Sequence, residues 1–473
     1  MKPGLALMPF QDKGSDLLAA SARAMLVWDP GVGKTPTAVR ASVKAKAGRV
    51  LVFCPPIAVS VWRNHFRDWG DDALPVMVYA ASASFSPYKF VVPPGVKIVP
   101  YSRITERSPI IPALLRDTYD VVIIDEAHYL KNPEAIRTKG VYGPKIDLLK
   151  TPLVTARHVW CLTGTPVLNH AAEFWTHLHA LKPDAIILPQ LGVMDIDTFV
   201  RRFCVTRTTT YGSPRIIGSK NTHELAERIR GFSHRKTLKE AMPDMPELRI
   251  VDHPLPDTDV DPNLRAEMAR ALIKLKLDPE TMTDDELLAE IQAGNVAFST
   301  VRRLIGRAKI SAVAKLTEDF LGDNEDAKLI LFAHHREVIE ALAYKLYAHS
   351  PLVIHGDTPL RARDTYIEQF QINPARRLII LAIEAAGEVI TLHAAHNVFI
   401  AEPSPVPNKN YQAICRAYRN GQRNAVLARF LLLSGTLDAR LMEIVARKTR
   451  DIAKIVDGKA SKPLTAPIFP ATA

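Results

Sequence analysis

Val121-Val122-Ile123-Ile124 runs without a polar interruption into two adjacent carboxylates, Asp125 and Glu126. A continuous apolar run of this length suits a strand buried on both faces, as in a parallel sheet; a half-solvated antiparallel strand would alternate. The carboxylates then fall at the strand's carboxyl end, where open α/β sheets bind ligands. Asp125 there suits a Mg²⁺ ion, and Glu126 suits orienting or deprotonating a water. That is half of a nucleotide-hydrolysing site, and the other half must come from elsewhere in the chain.

Upstream, Ala24-Met25-Leu26-Val27-Trp28 reads as a strand, followed by Asp29-Pro30-Gly31-Val32-Gly33-Lys34-Thr35 and a helical stretch to Ala47. Gly31 and Gly33 let backbone N–H groups approach phosphate oxygens, Lys34 suits the β/γ-phosphates, and the Thr35 hydroxyl suits Mg²⁺. The helix N-terminus adds the positive end of its dipole. The full phosphate-loop pattern asks for glycine at position 28, where this chain has Trp28. Taken alone, Gly-x-Gly-Lys-Thr also fits a turn before any helix. The flanking strand and helix, with the carboxylate strand downstream, weigh against that reading.

The 473 residues allow two to four domains, and 47% hydrophobic with 23% charged content is that of an ordinary globular chain. No apolar stretch approaches a membrane span, and Met1-Lys2-Pro3-Gly4-Leu5 lacks the apolar core of a signal peptide. Cys54, Cys161, Cys204 and Cys415 are far apart, which points to buried thiols in a reducing, intracellular setting and not to zinc or disulfides. The net charge of +11 favours a polyanionic partner only weakly. Its distribution says more: residues 201–240 carry ten basic against three acidic side chains, and 416–450 carry eight against two. Singly, each block reads equally well as a solvated basic face. Beside a nucleotide site, two such blocks tilt toward nucleic acid.

The first 180 residues alternate apolar runs with helical patterns, with strands expected at Val50–Cys54, Val76–Ala80, Lys97–Pro100, Val121–Ile124 and Val159–Leu162. Strand-like runs return at Lys328–Phe332, Leu352–Ile354, Leu378–Ala382 and Asn397–Ile400. The expected fold is therefore α/β: two lobes, each a parallel sheet flanked by helices, with a mostly helical insert between them. The expected divisions are 1–240, with a basic C-terminal segment; 241–321, the insert or linker; 322–455, the second lobe; and 456–473, a disordered Pro/Ala/Thr-rich tail. In the second lobe, residues 411–419 suit a helix capped near Gly421, which would place Arg416 and Arg419 three apart on one face. Paired guanidinium groups suit charge on a transferring phosphoryl group; the plainer reading is two surface arginines.

Taken together, Trp28–Thr35, Ile123–Asn132, Leu162–Asn169 (with Thr163-Gly164-Thr165) and Gln412–Gln422 resemble the SWI/SNF-like ATPases of helicase superfamily two, in the family's order. Pro9-Phe10-Gln11 resembles the adenine-reading segment before the phosphate loop. Val52-Phe53-Cys54-Pro55-Pro56 with Trp62, and Ser102, resemble nucleic-acid strand contacts. Ile354-His355-Gly356-Asp357-Thr358-Pro359 with Arg363 resembles a second-lobe motif. Lys328–Phe332 followed by Ala333-His334-His335-Arg336-Glu337-Val338 is close to the annealing-helicase branch. A metal role for the two histidines lacks partners at ligand spacing, so a surface or packing role is expected.

The resemblance implies two RecA-like P-loop lobes that close on ATP and Mg²⁺. Gln11 would serve the adenine; Gly31, Gly33, Lys34, Thr35 and Gly387 the nucleotide; Thr35 and Asp125 the metal. Glu126 would serve the water, and Arg416 and Arg419 the γ-phosphate. Thr163, Gly164, Thr165, Ser102 and Thr358 would couple hydrolysis to DNA. The implied activity is a DNA-dependent ATPase, a monomeric motor tracking double-stranded DNA for remodelling or reannealing, with forks or single strands as further substrates. It would work inside the cell, in cytoplasm or nucleoid, or in a host's cytoplasm if viral. Alternatives are a strand-separating DNA or RNA helicase and a nucleotide-gated DNA clamp with little hydrolysis. Three departures stand out. Ala386-Gly387-Glu388-Val389-Ile390 replaces a Gly-x-Gly-Leu turn, Pro405-Val406-Pro407 replaces Trp-Asn-Pro, and Asp29-Pro30 replaces Asp-Glu-Met.

Overall fold

The computed structural model describes residues 2, 4–79, 94–106, 108, 110–146, 151–164, 170–190, 192–208, 214–256, 260–274, 287, 296–384, 390–434 and 436–457. The chain forms two compact units, one built mainly from Met1–Val205 and Gly218–Pro243, the other mainly from Asp244–Ala453. Each is a RecA-like lobe with a parallel sheet.

In the first unit the strands are β1 (Arg23–Trp28), β2 (Arg49–Cys54), β3 (Val76–Val78), β4 (Gly95–Pro100), β5 (Val121–Asp125), β6 (His158–Thr163) and β7 (Ser233–Lys236). They make a 7-stranded sheet in the order β7-β1-β6-β5-β2-β4-β3, parallel throughout. The apolar runs form strands because both faces are covered: Val121 to Ile124, Val50 to Phe53 and Ala24 to Val27 are all fully buried. Helix α1 (Pro9–Ala20) starts with proline at its first position, where a missing N–H costs nothing. Helix α2 (Lys34–Lys44) follows β1, and α3 (Val59–Trp69) follows β2, turning Trp62 and Phe66, one helical turn apart, inward. β7 has no apolar run. It pairs with β1 from Met25↔Ser233 to Trp28↔Lys236 as an edge strand.

In the second unit β8 (Leu248–Leu255), β9 (Leu329–Ala333), β10 (Leu352–Ile354), β11 (Leu378–Ala382), β12 (Asn397–Ile400) and β13 (Val426–Leu433) make a 6-stranded parallel sheet, ordered β8-β13-β12-β9-β11-β10. Within 241–321, expected as a mostly helical insert, the described residues include helices Pro262–Lys274 and α4 (Val296–Asp323). They also include β8, an edge strand of this sheet. α4 is part of the lobe's own core: Val301, Ile305 and Val313 share one buried cluster with Leu329, Leu331 and Ile380. No described helix is long and apolar enough to cross a membrane.

Candidate functional site

The order β1-β6-β5 brings three carboxyl ends to one edge of the first sheet. Val27 pairs with Thr163, and Leu162 with Asp125. The residues that leave these strands are therefore neighbours: Trp28-Asp29, Thr163-Gly164 and Asp125-Glu126. A Cβ on Gly164 would stand 3.3 Å from Pro30 Cδ, so the β6 exit lies against the phosphate loop.

That loop has the shape its glycines allow. Gly31 and Gly33 have φ of 85° and 92°, the left-handed region that glycine enters without strain. Lys34 then starts α2. Its ammonium donates to the Trp28 carbonyl at 2.8 Å and, more weakly, to that of Asp29 at 3.4 Å. Burial pushes Lys34 below its ordinary pKa, while Glu126, Asp125 and Asp29 pull it back up, so the lysine lies in the field of both site carboxylates. Thr35 is half-buried in the first turn of α2.

Trp28, which stands where the pattern asks for glycine, offers the site only its backbone. Its side chain is buried beneath α1, with ring centroid 5.8 Å from that of Phe10. Gly14 makes room for it, since a Cβ there would fall 2.4 Å from Trp28 Cη2. Gln11 also reaches the loop. Its Nε2 donates to Val32 O at 3.0 Å, while its Oε1 accepts from Met8 N at 3.0 Å. Asp29 is tied the other way: Arg235 of β7 stands 2.6 Å from its Oδ1, and Leu238 N donates to its Oδ2 at 2.9 Å.

Asp125 ends β5 with 8% exposure. Its Oδ2 accepts from Trp62 Nε1 at 2.7 Å, its Oδ1 from Glu126 N at 2.9 Å, and its main-chain oxygen from the Tyr101 hydroxyl at 2.7 Å. Burial, with Glu126's charge adding to it, pushes its carboxyl up to about 6, against the Trp62 hydrogen bond and Lys34. Glu126 sits at φ 45°, ψ 54°, a left-handed conformation that costs a non-glycine residue roughly 1–3 kcal/mol and is often kept at functional sites. His128 Nδ1 lies 3.2 Å from Glu126 Oε2 and 3.4 Å from Thr163 Oγ1, and so joins the β5 and β6 exits.

The donor set is all oxygen: Asp125, Glu126 and Thr35. It fits Mg²⁺, which takes one or two carboxylates and completes its shell from water and phosphate. Asp125 uses two of its roughly four acceptor positions on neutral N–H donors and so keeps both its charge and room for a cation. The left-handed glycines and the N-terminus of α2 fit a polyphosphate.

In the second unit, α5 (Pro407–Ile414) ends earlier than the expected 411–419 helix. Arg416 and Arg419 lie in the turns beyond it, not on one helix face, and Gly421 (φ 98°) serves a later turn, not the helix cap. The two arginines still converge: their Nη1 atoms donate to Ile390 O at 3.4 and 3.2 Å. Gln422 is buried and staples the turn, donating to His393 O and Ala395 O and accepting from Arg423 N and Asn424 N. Arg363 closes the His355–Thr358 loop by donating to the oxygens of His355, Gly356 and Thr358, and Thr358 Oγ1 accepts from His355 N. His335 packs on Glu402, with Nδ1 to Oε1 at 2.7 Å. Gly387, Val389 and Thr165 lie outside the described residues.

Two expectations need correction. Trp62 is fully buried with its indole N–H on Asp125, so it is not at a strand-contacting surface. The 201–240 block is not a uniformly free basic face: Arg202 and Arg228 both pair with Glu224, Arg230 with Glu227, and Arg235 with Asp29. Ser102, in contrast, is exposed, one residue after buried Tyr101. In the Leu-Lys-Asn ending, Lys131 Nζ meets Glu173 Oε1 at 2.6 Å, which fastens the β5 exit to the helix Ala172–Leu181.

Family models agree with the geometry. An SNF2-related domain matches residues 15–235, and a helicase conserved C-terminal domain matches 308–421. The chain belongs to the SWI/SNF-like ATPases. Among its relatives are the DNA annealing helicase and endonuclease ZRANB3 of Mus musculus, 26% identical over 96% of this chain and 41% of that protein. Another is the SWI/SNF-related matrix-associated actin-dependent regulator of chromatin subfamily A-like protein 1 homolog of Caenorhabditis elegans, 27% identical over 95% and 62%. The chain thus spans about two fifths to three fifths of these relatives. A solved structure of the Sulfolobus solfataricus SWI2/SNF2 ATPase core in complex with dsDNA aligns with a TM-score of 0.42 at 20% identity, covering 97% of this chain and 96% of that one.

Proposed function

We propose that the chain is a DNA-dependent ATPase that tracks duplex DNA, in the service of remodelling or reannealing. The observation that carries this reading is the meeting of Lys34 with Asp125 and Glu126 at one sheet edge, in a chain of this family. The bound Mg²⁺ would polarise the phosphates and neutralise their charge, with Thr35 and Asp125 as its protein contacts. Lys34 and the loop N–H groups bind the β- and γ-phosphates. Glu126 orients the attacking water and takes its proton, and its left-handed backbone sets the carboxylate's direction. Gln11 reads the adenine while bonded to the loop at Val32. Arg416 and Arg419 take up γ-phosphate charge, and Gly387 adds a nucleotide contact. Through His128, Thr163 reports the state of Glu126 to the Thr163–Thr165 segment, and Ser102 and Thr358 meet DNA. The protein acts inside the cell as a monomer, with 1–240 as its first lobe, 241–321 built into the second lobe together with 322–455, and a tail.

Duplex tracking is favoured over strand separation because the relatives include a protein named as an annealing helicase. The test is ATPase stimulation by duplex DNA, single-stranded DNA and RNA, paired with triplex displacement and fork unwinding. Duplex stimulation with triplex displacement is expected; efficient separation of a plain duplex would replace this reading with that of a strand-separating helicase. Binding should weaken steeply with salt, because phosphate contacts dominate.

A further inference from the structure

Two aromatic side chains outside the phosphate loop and the carboxylate strand hold Asp125. Trp62 comes from α3, which follows β2, and donates its indole N–H to Oδ2 at 2.7 Å. Tyr101 comes from the turn immediately after β4 and donates its hydroxyl to the Asp125 main-chain oxygen at 2.7 Å. β2 pairs with β5 on one side and β4 on the other, so both donors reach Asp125 from the same side of the sheet order. Each is itself braced. Trp62 is fully buried and packs near Phe66, at 6.0 Å between centroids. The Tyr101 ring stacks on Tyr129, just beyond the carboxylates, at 5.4 Å and 9°.

A buried carboxylate needs hydrogen-bond donors, and the choice of donor decides what it can then do. An arginine or lysine bonded directly to it would neutralise it. An indole N–H and a backbone N–H satisfy one position on each oxygen and leave the negative charge for a cation. The Tyr101 bond fixes the last carbonyl of β5, from which the chain turns into the left-handed Glu126.

We propose that Trp62 and Tyr101 are positioning residues for the metal-binding carboxylate: Trp62 sets the rotation of the Asp125 side chain, and Tyr101 sets the backbone that carries it. The proposal rests on the ATPase reading. It makes Trp62 part of the metal site's outer support; groups in that position typically cost about 10–100-fold in metal affinity or activity when lost.

The test titrates a fluorescent non-hydrolysable ATP analogue into the full chain with and without Mg²⁺, for the unaltered protein, Trp62→Phe and Tyr101→Phe. Tyr101→Phe keeps the ring and removes the donor; Trp62→Phe keeps an aromatic side chain, smaller than the indole, and removes the donor. Without Mg²⁺, all three proteins are expected to bind alike. The Mg²⁺-dependent gain in affinity should fall about tenfold in Trp62→Phe, at the lower end of that range, and by a smaller factor in Tyr101→Phe. Mg²⁺ with the analogue should also change tryptophan emission more in the unaltered protein than in Trp62→Phe, which keeps Trp28 beside the loop. Tyr101→Phe, which loses one oxygen, carries the test if Trp62→Phe does not fold. An unchanged Mg²⁺-dependent gain in the folded variants overturns the proposal, as does an equal loss with and without Mg²⁺. If the unaltered protein fails to bind the analogue, the ATPase reading falls first and this proposal with it.

Discussion

Lys34 Nζ donates to the main-chain oxygen of Trp28 at 2.8 Å. The residue that breaks the phosphate-loop pattern thus meets the loop's lysine through its backbone, which every residue type supplies. Its indole points elsewhere, beneath α1, into the space left by Gly14. The departure at position 28 is therefore a packing solution, and it moves the demand for glycine from the loop to the helix.

Gly14→Ala tests that exchange. Its Cβ would meet Trp28 at 2.4 and 2.7 Å, contacts that a rigid ring on a buried strand cannot relieve without moving the loop. Overpacking of this kind costs about 1–3 kcal/mol. Chemical denaturation should show that loss, with weaker nucleotide binding. Gly14→Ala paired with Trp28→Leu should recover part of the stability.

Lys309 and Asp438 form a buried ion pair at 2.6 Å in the second unit; Lys309 also donates to Leu431 O. Removing the cation strands a buried carboxylate. Lys309→Met should cost about 3–5 kcal/mol, and the double variant Lys309→Met/Asp438→Leu should recover most of it. Calorimetry of the unfolding transition measures both.

His177 is fully buried beside the Tyr142 hydroxyl, at 2.8 Å from Nδ1, and burial pushes it down to about 3. Between the ordinary histidine value near 6.5 and about 3, the unfolded chain binds a proton that the folded chain refuses. Stability from this residue is therefore present above pH 6.5 and is lost as pH falls through that window, at roughly 1.4 kcal/mol per unit. Unfolding curves from pH 7 to 5 should show this loss in the unaltered protein. His177→Gln, which cannot titrate, should lack that share of it.

What the sequence disclosed follows from range. β5 and the loop are legible because an apolar run and Gly-x-Gly-Lys-Thr are local signals that survive any tertiary context. β7 is not: Ser233-His234-Arg235-Lys236 is polar throughout and becomes a strand through pairing with β1 and the Arg235–Asp29 ion pair. In sequence Arg235 looks like one more charge in a basic block. In sequence Trp62 resembles part of a nucleic-acid strand contact, and its bond to a residue 63 positions away has no local mark. Arg416 and Arg419 are found by type and spacing, although α5 ends at Ile414 and loop carbonyls orient them.

The most direct test of the account is phosphate release from ATP at saturating duplex DNA, compared between the unaltered chain and Glu126→Gln. Glu126→Gln keeps the size of the side chain and removes the base. Positioned general bases contribute about 10²–10⁴-fold, and a loss of that order is expected with nucleotide binding retained. Equal turnover by both proteins, or no stimulation of the unaltered chain by duplex DNA, would contradict it.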